Sequence, residues 1–155
     1  MNAETIFQLL DPPVALARKL DGYWASPTEL DVRGMATLLL AHGVRLITLT
    51  AVPDATGGYR VIYHWDVDDS VVNVSVAATA GRIASIADIL PAADWVEREI
   101  RDYYALEFDG RAETPTLMLR EGDEPGLFSR TRELGKACDP AETARAAVAT
   151  DSEGV

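Results

Sequence analysis

Three runs rich in β-branched and aromatic residues, separated by short turn sequences, dominate the middle of the chain and fix most of what it can become. They are VRLITLTAV (44–52), YRVIYHWD (59–66) and VVNVSVA (71–77). Such residues suit a pleated, half-buried surface. In the second run Tyr59, Val61, Tyr63 and Trp65 alternate with Arg60, Ile62, His64 and Asp66. That period of two makes one face apolar and the other mostly polar. Val72, Val74 and Val76 repeat the pattern. PDATGG supplies a hairpin turn in which Gly57 and Gly58 are free to take positive φ, and VDDS supplies the second turn. The expected product is an antiparallel meander with one half-solvated side.

Helical patterns flank the meander. DVRGMATLLLAHG (31–43) reads as a helix with Asp31 as N-cap and Gly43 as its stop, and with Val32, Met35, Leu38 and Leu39 facing a core. ETIFQLLDPPVALARKL reads as one or two short helical pieces around Pro12 and Pro13. In GYWASPTEL, Tyr23 and Trp24 favour an extended strand. RIASIADIL carries Ile83, Ile86 and Leu90 at helical spacing, with Pro91 interrupting it or opening the helix AADWVEREIRDYYAL. Gly110 closes that block, and TLMLRE fits one last short strand. From Thr131 the chain is Ala-rich and charged, which reads as a weak helix followed by disorder. The expected fold is α+β: one domain over residues 1–130 with a mostly antiparallel sheet backed by helices, then a flexible acidic tail over 131–155.

The chemistry on offer is narrow. A formal net charge of -11 opposes nonspecific nucleic-acid binding and adhesion to anionic lipid. Cys138 is alone, so it makes no internal disulfide and holds no cluster or structural zinc by itself. MNAETIFQLLDPP lacks the basic start and long apolar run of a signal peptide. No segment approaches the ~20 apolar residues that span a bilayer, so any membrane connection runs through a partner. There is no GxGxxG, Walker loop, CxxC pair or GxSxG elbow. His42 and His64 fall in different elements; the first suits a helix C-terminus and the second a half-exposed strand position.

What remains is WVEREIRDYY (95–104). Glu97 and Glu99 are two apart and point to different sides, so they make no catalytic pair. Glu97 with Arg101 and Arg98 with Asp102 have i,i+4 spacing, worth a few tenths of a kcal/mol each on a bare helix. Asp94 and Glu97 have capping-box spacing. Val96, Ile100, Tyr103 and Tyr104 form an apolar stripe that packs on the sheet. The charged side can be a solvated face, a polar interface for a partner protein, or an acid–base site using Glu99 or Asp102.

The run ADILPAADWVEREIRDYYALEFDG resembles the signature of the 30 kDa, or C-type, subunit of NADH:quinone oxidoreductase (respiratory complex I). It also resembles related small subunits of energy-converting [NiFe] hydrogenases. Pro91, Ala92, Ala93 and Trp95 match the opening of that signature. Glu97, Arg98, Glu99, Asp102, Tyr103, Tyr104, Phe108 and Gly110 match its centre. The resemblance covers roughly residues 30–120, with the strands in the family's order. It departs where Ala105 replaces the family's glycine and Leu106 its isoleucine. Arg111 stands at a histidine position, and Pro115-Thr116 where an arginine pair belongs. These departures favour a compact relative of the hydrogenase kind over a standard complex I member.

The resemblance implies a structural or assembly subunit without cofactor or active site of its own. Such a subunit braces the large catalytic subunit, beside iron–sulfur subunits, on the cytoplasmic peripheral arm, and meets the membrane only through its partners. Trp95, Glu97, Arg98, Glu99, Asp102 and Arg111 are the expected partner-interface residues. The alternative from another class is a free-standing soluble binding module.

Overall fold

The computed structural model describes residues 2–112 and 114–129. Among them, Arg45–Pro53 (β3), Tyr59–Val67 (β4) and Ser70–Ala77 (β5) form the expected meander. Its register stacks Leu49 beside Tyr63 and Val74, and Leu46 beside Trp65 and Val72. Tyr63, Trp65, Val61, Val72 and Val74 are completely buried, so the apolar face lies at the centre of the core. A bulge between Leu46 and Thr48 turns Ile47 outward, where it is 48% exposed. On the opposite face His64 is half-buried. Its Nδ1 lies 2.6 Å from Asn73 Oδ1 and its Nε2 lies 3.0 Å from Thr50 Oγ1, which links three strands in one polar row.

Helix α2 (Val32–Ala41) begins and ends as its sequence dictates. The Asp31 carboxylate accepts from the Arg33 amide, and Gly43 leaves the helix at φ +71°. Val32, Met35, Ala36 and Leu39 are buried in the core shared with the sheet and α1 (Ala3–Phe7), and Leu38 is partly buried.

The sheet is wider than its meander and mixed in direction. Gly22–Ala25 (β2) pairs parallel with β5, and Ala17–Lys19 (β1) pairs antiparallel with β2, giving the order β1-β2-β5-β4-β3. It remains mostly antiparallel. Ala17–Lys19 belongs to a stretch expected to be helical. Instead the helix ends at Phe7, ahead of Pro12 and Pro13, and the chain re-enters as an edge strand. Aromatic neighbours hold it there: Arg18 lies over the Tyr23 ring and Lys19 over the Trp24 ring.

Gly22 makes this addition possible. It sits at φ +130°, and a Cβ there would collide with the Val71 carbonyl oxygen. Gly22→Ala is expected to cost roughly 1–3 kcal/mol, since backbone strain of this kind is not relieved by moving a side chain. A urea midpoint equal to that of the wild type would contradict this close approach of β2 to β5.

RIASIADIL is not a helix. Arg82–Ala84 (β6) pairs parallel with Glu107–Asp109 (β7) as a separate two-stranded sheet. Ile83, Ile86 and Leu90 are all buried, but from a strand, the irregular link after it and the residue that follows the next turn. Helix α3 (Ala93–Tyr104) follows and packs on β3. Its Ile100 is buried, while Val96 and Tyr104 are partly buried against the core. TLMLRE forms no strand; the backbone of residues 114–119 is irregular. The expected tail, 131–155 with Cys138, lies outside the described residues.

Candidate functional site

Helix α3 is packed on two sides. Its inner side faces the sheet; its outer side, from the middle of the helix onward, is covered by the segment 114–118. The charged side chains expected on a single surface are divided between these two packings.

On the first side lies Glu97, which is 1% exposed. Its Oε2 accepts from the Ser85 hydroxyl at 2.6 Å and from Arg111 Nη1 at 2.9 Å, and its Oε1 accepts from the Ile86 amide at 2.8 Å. Arg111 also pairs with Asp94, and Arg98 approaches Asp94 at 3.7 Å. From α2, Arg33 donates to the Ser85 carbonyl at 2.6 Å and makes a two-pronged pair with Asp88, both contacts 2.7 Å. The network therefore ties α2, the link after β6, α3 and the segment after β7. Burial pushes the Glu97 carboxyl above the usual carboxylate range, against the pull of its hydrogen bonds. Burial, and then the nearby Glu97 charge, raise the Tyr63 phenol, whose hydroxyl has no hydrogen-bond partner among the described residues.

On the second side Asp102 is fully buried. Its Oδ2 accepts from the Leu117 and Met118 amides at 2.6 and 2.8 Å, and its Oδ1 from Arg101 at 3.3 Å. Burial opposes ionisation, but the Met118 and Leu117 amides and Arg101 together outweigh it and hold this carboxyl below its ordinary value. Arg101 donates to the carbonyls of Thr114 and Pro115, and Arg98 to those of Pro115 and Thr116. Three side chains of one helix thus grip a segment that has no secondary structure of its own.

The expected i,i+4 pairs, Glu97 with Arg101 and Arg98 with Asp102, do not form. Neither does the capping box: Ala92 is the N-cap without a side-chain bond, and Asp94 is taken by Arg111. The sequence places Glu97, Asp102 and Arg111 at a partner interface. In the fold the first two are buried inside their own chain, and the Arg111 side chain is only 10% exposed, so their contacts are internal. Arg98 is likewise bound largely to its own chain. Trp95, 68% exposed, and the partly exposed Glu99 remain outside. Sequence reasoning missed Ser85 and Arg33. Neither carries a local signal, because their partners lie on other elements.

An open cleft of about 630 Å³ runs beside the network, lined among others by Arg82, Glu97, Arg98, Arg101, Arg111 and Thr114. Its four arginines are bound to acids or carbonyls, Arg82 to Asp109. The cleft is charge-balanced rather than an anion cradle. As a base, Asp102 is unsuited, because two amides occupy the oxygen that would take a proton. Glu99 has no hydrogen-bonded or ion-paired group among the described residues to act with it. Among the described residues no three His, Cys, Asp or Glu side chains converge as metal ligands, and no helix is long and apolar enough to cross a membrane.

A sequence model of the family described as "Respiratory-chain NADH dehydrogenase, 30 Kd subunit" matches residues 29–126, a stretch that holds α2, the meander, the Glu97 network and the Asp102 clamp. The chain belongs to this 30 kDa subunit family. The C/D-type NADH-quinone oxidoreductase subunit of Bacteroides fragilis is 33% identical over 73 residues, covering 44% of this chain and 14% of that protein. Its counterpart from Nitrosospira multiformis is 34% identical over 87 residues, covering 48% of this chain and again 14% of the relative. The chain therefore spans about a seventh of the length of these curated relatives. Among solved structures, a trypsin-resistant fragment (1–134) of Nqo5 is similar in fold, with a TM-score of 0.54 and 20% identity. The match covers 65% of this chain and 89% of that fragment.

Membership in the 30 kDa subunit family gives one local feature a context. The resemblance places glycine where this chain has Ala105, and Ala105 ends α3 in the left-handed region at φ +55°. A side chain there costs about 1–2 kcal/mol of backbone strain that glycine avoids.

Proposed function

We propose that this chain is a non-catalytic subunit of a complex-I-like NADH-quinone oxidoreductase assembly. In this reading it braces the large catalytic subunit, next to iron–sulfur subunits, in the peripheral arm on the cytoplasmic side of the membrane. The carrying observation is the family match over 29–126, which coincides with a domain whose signature acids are spent on holding the domain together. Acids locked into structure leave little for acid–base work, which favours bracing over catalysis. The partner surface would be the part of α3 left outside, at Trp95 and Glu99, with the exposed edge of Arg98.

A second reading, the small subunit of an energy-converting [NiFe] hydrogenase, draws on the departures at Arg111 and at Pro115-Thr116. The two separate on the large chain that co-purifies. A hydrogenase-type chain carries nickel on paired CxxC motifs; a complex I chain does not.

The test is to tag the full chain in its native host, solubilise membranes gently and identify what co-elutes. Both readings expect a large catalytic subunit in stoichiometric amount, and nickel decides between them. A chain recovered only as a free soluble monomer would sink both and favour the independent binding module.

A further inference from the structure

Resting on the reading above, we propose that Trp95 and Glu99 form a docking knob for a partner surface that offers an apolar pocket beside a lysine or arginine. The two side chains are one helical turn apart on the outer side of α3. Segment 114–118 is bonded to Arg98, Arg101 and Asp102, the last of these on the same face two turns beyond Trp95, while Trp95 itself stays exposed. Trp95 is 68% exposed, the most exposed aromatic ring among the described residues. Pro91 and Ala92, exposed in the preceding turn, extend the apolar surface around it.

Glu99 supplies the polarity of the match. Asp94, Glu97, Arg98, Arg101 and Asp102 on the same helix all have ion-pair partners in their own chain. Glu99 has neither a hydrogen bond nor an ion pair among the described residues. The knob is therefore an indole with a single uncompensated negative charge beside it, on a chain of net charge -11. The complementary surface is apolar where the indole inserts and basic where Glu99 lands. A buried Trp anchor dominates an interface energetically, and a charge at its edge sets orientation and encounter rate.

The test titrates the full chain against the large catalytic subunit that co-purifies with it in the native host. Trp95→Ala is expected to weaken binding by roughly 30-fold or more, as for a central aromatic anchor. Glu99→Lys is expected to weaken it by about tenfold, and Glu99→Gln to flatten the salt dependence. Leu20→Ala is the control: Leu20 is fully exposed at the tip of the β1–β2 turn, and its loss should leave binding unchanged. Melting curves confirm that each variant is folded. Trp95→Ala within twofold of wild type overturns the knob while leaving the subunit reading intact. An unchanged Glu99→Lys overturns the basic rim. Failure of the wild-type chain to bind at all removes the subunit reading, and this inference with it.

Discussion

Replacing Arg111 with methionine should lower the unfolding free energy by about 3–5 kcal/mol, the cost of leaving a buried charge without its counter-ion. The charge left behind is Glu97, 1% exposed and already raised by burial toward its neutral form. Methionine retains most of the volume, so the loss is electrostatic rather than a cavity effect. A domain of this size has roughly 5–15 kcal/mol in total, so the variant should unfold at much lower urea. Adding Glu97→Gln to Arg111→Met removes the stranded charge, and the double variant should regain a large part of the deficit. Urea melts of the two single variants and the double check this. Strict additivity of the two substitutions would mean that the Arg111–Glu97 contact carries no coupling.

Asp102→Ala should be nearly as damaging and should have a distinct pH signature. It strands the Leu117 and Met118 amides and the Arg101 guanidinium at a fully enclosed position. Two unsatisfied amides cost about 3 kcal/mol together. Asp102 has a lowered pKa in the folded state, so the unfolded chain binds its proton more readily. The stability it contributes is present above about pH 4 and is lost as pH falls through the lower folded value. The gap between wild type and variant should therefore be widest near neutrality and narrow in acid. Glu97 has the opposite sign: its raised folded value contributes most in acid and less as pH rises. Denaturant midpoints from pH 3 to 7 separate the two. A gap that stays constant across that range would rule out an ionised Asp102 as the clamp. Limited proteolysis adds a local readout, since cleavage within 114–118 should accelerate in Asp102→Ala.

Much of the fold was legible because its signals are local. Asp31 and Gly43 bracket α2 by their own side chain and backbone. The alternation in YRVIYHWD states which face is buried without reference to any other segment. What escaped reading depends on distance. Ile83, Ile86 and Leu90 have helical spacing, yet β6 forms because its partner β7 arrives more than twenty residues later. Ala17–Lys19 is a strand only because Tyr23 and Trp24 fold back under it. The charges of α3 show the same limit. A local i,i+4 pair is worth a few tenths of a kcal/mol, whereas leaving a buried carboxylate without a partner costs about 3–5 kcal/mol. Arg111 and the Leu117–Met118 amides therefore outcompete Arg101 and Arg98 for Glu97 and Asp102. The resemblance pointed to α3, and burial decides which of its residues face outward: Glu97 and Asp102 are enclosed, and Trp95 is exposed.

The parallel pairing of β2 with β5 has a kinetic consequence. The meander closes through turns of a few residues, so it can assemble early and by itself. Tyr23 and Asn73, joined by a hydrogen bond across that pairing, are 50 positions apart. Closing so long a loop costs entropy that is recovered only after β5 already offers an ordered edge. The hairpin of β1 and β2 is therefore expected to dock late in folding, with the chain's central segment as the template on which it is finished.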